Sequence, residues 1–388
     1  MKSIVILGAS GSIGTQALEV LRTLKKEYKI VGISVGNNIE IIDSFCKKSA
    51  EIKYFCVKNF TDYMVLIKKY PDKTFFFGDE GLIKLLNKSN PDVVLNALSG
   101  FAGFMPTIET INMGKVLLLA NKESLVAGGE IVNEKLKTSK TRIIPIDSEH
   151  VAIAKCLYEE QISEVARLYI TASGGPFFDL PIEKFKDIKP SDALNHPTRS
   201  MGQKITIDSA SMMNKCFEII EAYYLFNIPF SKITPVVDRK SFVHSYVKFK
   251  DGRVKLQVGK PDMRGPIAYA LNFGEPLNGD YDFDDVEVNT LRKYHIKEMD
   301  YEKFPNLKFA KLVLEKRGNY GAILNAADEV CVNAFLNGDI NFIDITKIID
   351  KIFITYPYVE KPTLNDIVRT DREVRILTEK MIENEDYE

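Results

Sequence analysis

The N-terminal segment of the chain combines an apolar strand, a glycine-rich turn and an amphipathic helix. Residues 4–7 predict the strand, the turn is Gly8-Ala9-Ser10-Gly11-Ser12-Ile13-Gly14, and residues 15–26 predict the helix. Glycines permit a tight turn, and the start of a helix offers free amide groups and a positive dipole to a pyrophosphate. The spacing is GxxGxxG instead of GxGxxG, so the motif depends on its strand–turn–helix context. The segment predicts a Rossmann-like parallel sheet that binds a dinucleotide, and the alternative is a glycine turn without a ligand.

The end of the second predicted strand bears on which dinucleotide is bound. Residues 30–35 form this strand, and Gly36-Asn37-Asn38 follow it. Enzymes that bind NAD usually place an acidic residue here for the ribose 2′-hydroxyl. The nearest acidic residue, Glu40, lies slightly further along the chain than the usual position of that acidic residue. A polar, uncharged strand end tolerates a 2′-phosphate, so the sequence weakly favours NADP.

Further apolar strands follow, which predicts an open α/β sheet up to residue 147. The clearest of them are residues 93–98 and 116–120, and the second ends in Asn121-Lys122-Glu123-Ser124. Polar groups at the carboxyl ends of strands are where such sheets bind ligands. Lys122 is therefore a candidate for binding a hydroxyl or phosphate, and the alternative is a solvated lysine at the start of a helix.

Acidic residues follow the last apolar run of this first domain. Residues 143–146 predict a buried strand, and Asp147-Ser148-Glu149-His150 come next. If the strand continues, Asp147 and Glu149 project from one face. Two adjacent carboxylates repel unless a cation or a proton lies between them, and a hard ion such as Mg²⁺ or Mn²⁺ suits them. The alternative is an acidic turn in which Ser148 caps a helix.

The segments after residue 150 predict an anion-binding turn and a polar helix. Strand residues 168–171 lead into Ala172-Ser173-Gly174-Gly175-Pro176, whose amide groups and hydroxyl can wrap an anion. A loop without hydrophobic periodicity and a short strand at residues 205–207 come next. The helix predicted from Ser209 onward places Asn214, Lys215 and Glu218 on one side, and the alternative is an ordinary polar helix face.

The remaining third of the chain predicts a sheet, a linker and a helical domain. Residues 234–258 form a β-meander, which suits a sheet with one open face and often a dimer surface. Residues 275–290 are acidic and contain glycine and proline, and we predict a linker at 275–304. Residues 305–388 are mostly helical and form a C-terminal domain.

Composition narrows the class of protein. The formal net charge of −1 gives no bulk attraction to nucleic acid or anionic membrane. Five scattered cysteines without a CxxC pair indicate free thiols in a reducing compartment instead of a disulfide framework or a zinc site. We expect no signal or transit peptide, because the N-terminus runs straight into a predicted strand, and no apolar run approaches membrane-spanning length. We expect a cytoplasmic protein without nucleic-acid or membrane partners, and the alternative is an organelle protein in its mature form.

Seven motifs in order along the chain resemble those of the 1-deoxy-D-xylulose 5-phosphate reductoisomerase family. The motifs are GASGSIG, LANKES, PIDSEH, TASGGPF, MGQKITIDSASMMNK, KPDMRGPIAYAL and LNAADE. The resemblance covers about residues 3–345. It implies a homodimer and an α/β fold divided as follows: a Rossmann-like NADP-binding domain at 1–147, an α+β catalytic domain at 148–274 with a mobile flap at 193–202, the linker at 275–304 and the helical domain at 305–388.

The resemblance also implies a reaction and its residues. The family uses NADPH and Mn²⁺ or Mg²⁺ to rearrange and reduce 1-deoxy-D-xylulose 5-phosphate to 2-C-methyl-D-erythritol 4-phosphate in isoprenoid synthesis. The positions that match its metal ligands are Asp147, Glu149 and Glu218, which with Lys122 are also its catalytic residues. The positions that match its substrate contacts are Lys122, Ser148, Glu149, Ser173, His196, Ser209, Asn214, Lys215 and Glu218. The positions that match its NADPH contacts are Ser10, Gly11, Ser12, Ile13, Gly36, Asn37, Asn38, Asn121, Glu123 and Gly202.

Four positions depart from the family pattern. Arg199 stands where the flap usually carries tryptophan, Cys216 where glycine is usual, Asn37 where a basic residue often meets the 2′-phosphate, and Gly265 where a bulkier residue is found. We expect Arg199 to cover the substrate more by charge than by burial. Two other functions remain as alternatives: a different NADP oxidoreductase, such as a semialdehyde or homoserine dehydrogenase, and a non-enzymatic nucleotide-binding module.

Overall fold

The computed structural model describes residues 1–24, 28–36, 38–48, 51–195, 202–275 and 296–387. Three predicted features lie outside the described residues: Asn37, most of the flap with His196 and Arg199, and residues 276–295 of the linker. The chain divides into two compact units. The first unit comprises Met1–Ser124, Val132–Val151 and Asp262–Gly279, and the second comprises Leu125–Ile131, Ala152–Pro261 and Asp280–Glu388. The predicted domain boundaries stay a prediction.

The first unit is built on a seven-stranded parallel sheet. Its strands are β1 (Lys2–Leu7), β2 (Tyr28–Val35), β3 (Tyr54–Val57), β4 (Thr74–Phe77), β5 (Val93–Asn96), β6 (Val116–Leu119) and β7 (Ile143–Pro145). The strand order is β4-β3-β2-β1-β5-β6-β7, so the order reverses beside β1. Ile4, Val5, Ile6 and Leu7 of β1 are all fully buried. Continuous apolar strands of this kind are typical of a parallel sheet covered by helices on both faces.

Helices connect the parallel strands and cover the sheet. They are α1 (Ser12–Thr23), α2 (Glu40–Lys48), α3 (Phe60–Lys69), α4 (Gly78–Ser89), α5 (Phe104–Asn112), α6 (Glu123–Leu136) and α7 (Ser148–Cys156). Helix α11 (Arg264–Leu271) returns to this unit late in the chain and packs against α1. Its Arg264 pairs with Glu19 of α1 at 3.1 Å.

The second unit contains a mixed five-stranded sheet. Its strands are β8 (Val165–Ala172), β9 (Ile233–Asp238), β10 (Val243–Phe249), β11 (Val254–Val258) and β12 (Ile296–Glu298). The order is β11-β10-β8-β9-β12, in which β8 and β9 are parallel and the other pairs are antiparallel. One face is buried through alternate residues such as Val247 and Phe249 of β10, while Tyr246 and Lys248 alternate to the other face.

Helices form the rest of the second unit. They are α8 (Pro190–Ala193), α9 (Gln203–Ser211), α10 (Met213–Phe226), α12 (Lys308–Lys316), α13 (Tyr320–Asn337), α14 (Asp344–Thr355) and α15 (Leu364–Glu383). A capping box starts α15, since the Thr363 hydroxyl accepts from the Asp366 amide at 3.2 Å and the Asp366 carboxylate accepts from the Thr363 amide at 2.9 Å. Among the described residues no helix is long and apolar enough to cross a bilayer.

The predicted α/β class is confirmed, with two local corrections. Residues 205–207, predicted as a strand, lie inside helix α9. Residues 15–26, predicted as the first helix, are preceded by three residues that are already helical, because α1 begins at Ser12. Both errors came from short segments, in which hydrophobic periodicity alone does not separate a strand or a turn from a buried helix.

Candidate active site

The glycine turn between β1 and α1 requires glycine at two positions. Gly8 has φ +81°, and a Cβ there would lie 2.5 Å from the carbonyl oxygen of Ala97. A Cβ on Gly14 would lie 2.3 Å from the carbonyl oxygen of Gly8. The turn is fixed to β2, because the Ser34 hydroxyl accepts from the Gly8 amide at 2.9 Å. The close approach of backbone to backbone therefore explains the glycine spacing and leaves the start of α1 open to a pyrophosphate.

The predicted dinucleotide contacts at the start of α1 lie together in this turn. Ser10 and Ile13 are half-buried, whereas Gly11 and Ser12 are exposed. Gly11 is the N-cap residue and makes no side-chain cap. The amide groups of the first turn are therefore accessible to an anion. At the end of β2, the Asn38 side chain accepts from the Glu40 amide at 3.2 Å and so helps to start α2.

Asn121 and Glu123 are buried and hydrogen-bonded inside the first unit. The Asn121 amide donates to the carbonyl oxygens of Leu98 and Gly100, at 2.9 Å each. The Glu123 carboxylate accepts from the Asn121 side chain and from the Gly100 amide, at 3.0 Å each. These bonds fix the loop after β5, at the carboxyl edge of the sheet. A direct contact with the cofactor stays a prediction for both residues.

The carboxylates that follow β7 do not lie on one strand face. The strand ends at Pro145 and Ser148 begins α7, so the condition under which both carboxylates would share a strand face is not met. Instead, Asp147 precedes the helix and Glu149 lies in its first turn. The alternative, an acidic turn in which Ser148 caps the helix, is met only in part, because Ser148 is the first residue of α7 and its hydroxyl donates to the Glu149 carboxylate. The start of a helix is favourable for carboxylates because of its positive dipole.

Lys122 and Ser148 engage these two carboxylates within the first unit. The Lys122 ammonium is buried and donates to the Asp147 carboxylate. The Ser148 hydroxyl donates to the Glu149 carboxylate at 2.6 Å. Carboxylate and hydroxyl oxygens are ligands that Mg²⁺ and Mn²⁺ accept, so the donor set fits a hard divalent ion.

Glu218 is held on α10 in the second unit, where it is 1% exposed. Its carboxylate accepts from the Asn214 amide at 2.5 Å and from the Lys215 ammonium. The Lys215 ammonium also donates to the carbonyl oxygen of Thr171, at 2.5 Å, which links α10 to β8. The prediction that Asn214, Lys215 and Glu218 share one side of a helix is therefore confirmed.

The small-residue turn after β8 lies close to the start of this helical region. Gly174 and Gly175 have φ of +83° and +63°, and the Ser173 hydroxyl accepts from the Gly175 amide at 3.2 Å. A Cβ on Gly175 would lie 2.7 Å from the carbonyl oxygen of Ser209. The structure thus brings Ser173 and Ser209 to one place in the second unit. Gly202 is exposed at the N-cap of α9.

Arg239 supports this turn, and it was not identified as a functional residue from the sequence. Its guanidinium donates to the carbonyl oxygens of Ser173 and Gly175, at 2.7 and 2.8 Å. Two bonds from one planar group fix the turn and place a positive charge beside it. Arg239 follows β9, more than sixty residues after the turn, and no local motif marks it.

A buried charge cluster connects α9 with α13. The Lys204 ammonium lies 2.6 Å from the Asp208 carboxylate and 2.7 Å from that of Asp328. Burial raises the pKa of Asp328, and Lys204 opposes this rise. Asp208 is followed directly by Ser209, so the cluster fixes the part of α9 that carries a predicted substrate contact.

Replacing Lys204 with methionine should destabilise the protein by about 3–5 kcal/mol near neutral pH, because two buried carboxylates lose their cation. A carboxyl pKa that is higher in the folded than in the unfolded protein means that the folded state binds the proton more tightly. Protonation of the carboxylates at low pH therefore reduces the destabilisation caused by Lys204→Met, which should be smaller at pH 5 than at pH 8. Urea unfolding at both pH values measures this difference, with exposed Lys311→Met as the control. An equal loss at both pH values would refute the account.

The fold and the residues together define a class of protein. The glycine turn at the switch point of a parallel sheet is typical of dinucleotide-dependent oxidoreductases. The second unit adds a cation-supported anion turn, and each unit carries acidic residues of a type suited to a divalent ion. The class is an oxidoreductase that uses a nicotinamide dinucleotide and acts on a phosphorylated substrate.

Comparisons with known proteins narrow this class to one family. The model of 1-deoxy-D-xylulose 5-phosphate reductoisomerase matches residues 4–129, that of its C-terminal domain matches residues 143–226, and that of a further DXP reductoisomerase C-terminal domain matches residues 258–377. The enzyme of this name from Geobacillus sp. (strain WCH70) is 40% identical over 97% of this chain and 98% of its own length. That from Clostridium perfringens (strain 13 / Type A) is 39% identical over 97% and 98%.

Solved structures of the same family have the same fold. The Zymomonas mobilis reductoisomerase in complex with NADPH has a TM-score of 0.89 at 33% identity, covering 98% of this chain and 99% of that one. A reductoisomerase in complex with NADPH, fosmidomycin and magnesium has a TM-score of 0.90 at 33% identity, covering 99% and 98%. The chain belongs to the 1-deoxy-D-xylulose 5-phosphate reductoisomerase family.

Proposed function

We propose that this chain converts 1-deoxy-D-xylulose 5-phosphate to 2-C-methyl-D-erythritol 4-phosphate with NADPH and Mn²⁺ or Mg²⁺. The observation that carries the proposal is the hydrogen-bonded group of Asn214, Lys215 and Glu218 on α10. A dehydrogenase without a metal has no need for the further carboxylates Asp147 and Glu149.

The metal site in this proposal consists of Asp147, Glu149 and Glu218. All three supply carboxylate oxygens, which Mn²⁺ and Mg²⁺ prefer. A bound ion of this kind polarises a carbonyl group and stabilises negative charge that develops on its oxygen. The three side chains already have donors that orient them, namely Lys122, Ser148 and the amide of Asn214.

Lys122 and Glu149 handle the protons of the substrate hydroxyls. The Lys122 ammonium carries a proton at Nζ that it now donates to Asp147, and Glu149 can accept one through the carboxylate that Ser148 orients. General acid–base catalysis of this kind contributes about 10²–10⁴-fold to a rate. His196, in the flap, is assigned to the substrate hydroxyls by resemblance alone.

The substrate phosphate binds at the turn of Ser173 and at Ser209, Asn214 and Lys215. The hydroxyls and the ammonium are suitable donors, and Arg239 adds positive charge behind the turn. Charge-assisted hydrogen bonds to a phosphate are the stronger ones in proteins, and they fix the sugar relative to the catalytic residues.

NADPH binds along the carboxyl edge of the first sheet. Its pyrophosphate lies at the start of α1 with Ser10, Gly11, Ser12 and Ile13, and its adenosine ribose lies near Gly36, Asn37 and Asn38. Asn121 and Glu123 shape the loop on the nicotinamide side, and Gly202 is a further proposed contact of the cofactor. The cofactor supplies the hydride, while the protein holds the ring in place and excludes water.

The test of this proposal is the identity of the product. Purified protein is incubated with 1-deoxy-D-xylulose 5-phosphate, Mn²⁺ and NADPH, and the product is analysed by mass spectrometry and phosphorus NMR. We expect a branched polyol phosphate two mass units heavier than the substrate. An unbranched product would indicate simple reduction by a different oxidoreductase, and unchanged substrate would refute the proposal.

The proposal includes a homodimer through the open face of the second sheet. Tyr169 and Tyr246 stack there with ring centroids 4.3 Å apart, and Leu256 lies beside Tyr246 in register. Val254 and Leu256 are 54% and 42% exposed. A second copy of the chain would cover this apolar row.

The five cysteines, all free, agree with the proposed cytoplasmic location.

Light scattering should therefore give twice the chain mass of 43.9 kDa. The double variant Tyr246→Asp, Leu256→Asp should dissociate, since it places two charges in an apolar contact. Ile354→Asp is the control, because that side chain is 82% exposed on α14 of the same unit. A wild-type monomer, or a double variant that remains dimeric, would contradict this assembly.

A further inference from the structure

The 2′-phosphate of NADPH needs a cationic side chain at the carboxyl edge of the first sheet. Between Lys29 and Lys47 the chain has no lysine or arginine, so the end of β2 supplies none. The glycine turn, residues 8–14, has none either. The preference for NADPH over NADH normally depends on a cation beside the ribose. A cation beside the ribose therefore has to come from outside the end of β2 and the glycine turn.

The register of the sheet brings one lysine to this place. Val35, the last residue of β2, pairs with Val57, the last residue of β3. Gly36 and Lys58 therefore follow their strands at the same edge, about 4.8 Å apart as on any pair of neighbouring strands. Lys58 is exposed, and its long flexible stem allows the ammonium to reach over the end of β2.

We propose that Lys58 binds the 2′-phosphate of NADPH and sets the cofactor preference of this enzyme. The inference rests on the proposed function, because that function names NADPH as the cofactor. Helix α3 begins at Phe60, two residues later, so the positive end of its dipole adds to the lysine charge. The acidic residue of that first turn, Asp62, accepts from the Asn59 side-chain amide at 3.4 Å.

A binding experiment tests this contact without any turnover. The probes are adenosine 2′,5′-bisphosphate and adenosine 5′-monophosphate, which differ only in the 2′-phosphate, and their affinities are measured by calorimetry. Lys58→Met should lower the affinity for the bisphosphate about tenfold and leave the affinity for the monophosphate unchanged. Lys58→Arg should keep both affinities. Lys53→Met is the matched control, because Lys53 is exposed at the opposite end of β3.

Steady-state kinetics give the second measurement. The ratio of kcat/KM for NADPH to that for NADH should fall about tenfold in Lys58→Met and stay constant in Lys53→Met. Equal bisphosphate affinity in wild type and Lys58→Met would overturn the inference, as would a wild type that does not distinguish the two probes. If Lys58→Met weakens the bisphosphate while the sugar phosphate is not turned over, the inference stands and the proposed function fails.

Discussion

Replacing Glu218 with glutamine should lower the affinity for Mn²⁺ and reduce turnover at least tenfold. Glutamine has the same shape, so an acceptor oxygen for Asn214 remains on α10. What is lost is one negative charge, and a hard divalent ion binds an amide oxygen less tightly than a carboxylate. Changes near metal ligands typically cost about 10–100-fold in affinity or activity, which sets the expected size.

Two measurements separate this effect from a general loss of structure. Calorimetry with Mn²⁺ reports the affinity directly, and circular dichroism reports the fold. Glu315→Gln is the matched control, because that carboxylate is 61% exposed on α12 of the same unit. Glu218 also neutralises the buried ammonium of Lys215, so a moderate loss of thermal stability is expected. Unchanged Mn²⁺ affinity in the glutamine variant would remove Glu218 from the metal site.

Replacing Lys122 with methionine should lower kcat by about 10²-fold, since its ammonium is a proposed proton donor to the substrate. Methionine keeps the length of the stem within the buried position. The expected effect on the metal has the opposite sign to that of Glu218→Gln. Without the ammonium, Asp147 loses the cation that competes with a metal ion. Mn²⁺ should therefore bind at least as tightly as in the wild type.

The combination of slow turnover and undiminished metal affinity distinguishes a proton donor from a residue that only holds the site together. Lys140→Met, on the surface of the same unit, should behave as the wild type in both measurements. If Lys122→Met keeps wild-type kcat, another group supplies the proton and the assignment of Lys122 as the donor is wrong.

Much of the fold could be predicted because local signals agree with the tertiary structure. The central strands β1 and β5 of the first sheet are buried on both faces, so each contains a continuous buried run. The helix of Asn214 and Glu218 was also predictable, since residues four apart face each other on any helix. The motif spacing then identified the family, which the comparisons confirm.

The errors arose where tertiary contacts decide the local structure. Ile205 to Ile207 contain a β-branched run that favours a strand, but Lys204 anchors the segment as a helix through Asp328, far along the chain. The spacing of Asp147 and Glu149 fits a strand as well as a helix start, and only the end of β7 at Pro145 decides between them. Arg239 has no signal in the sequence, because its partners lie on a distant turn.

The most direct test of the account is the consumption of NADPH followed by its absorbance. Protein that has been treated with a chelator and then dialysed is mixed with 1-deoxy-D-xylulose 5-phosphate and NADPH, and Mn²⁺ is added last. We predict no loss of nicotinamide absorbance before the metal is added and a steady loss afterwards that depends on the sugar phosphate. Oxidation that proceeds equally without Mn²⁺, or no oxidation after its addition, would contradict a metal-dependent reductoisomerase.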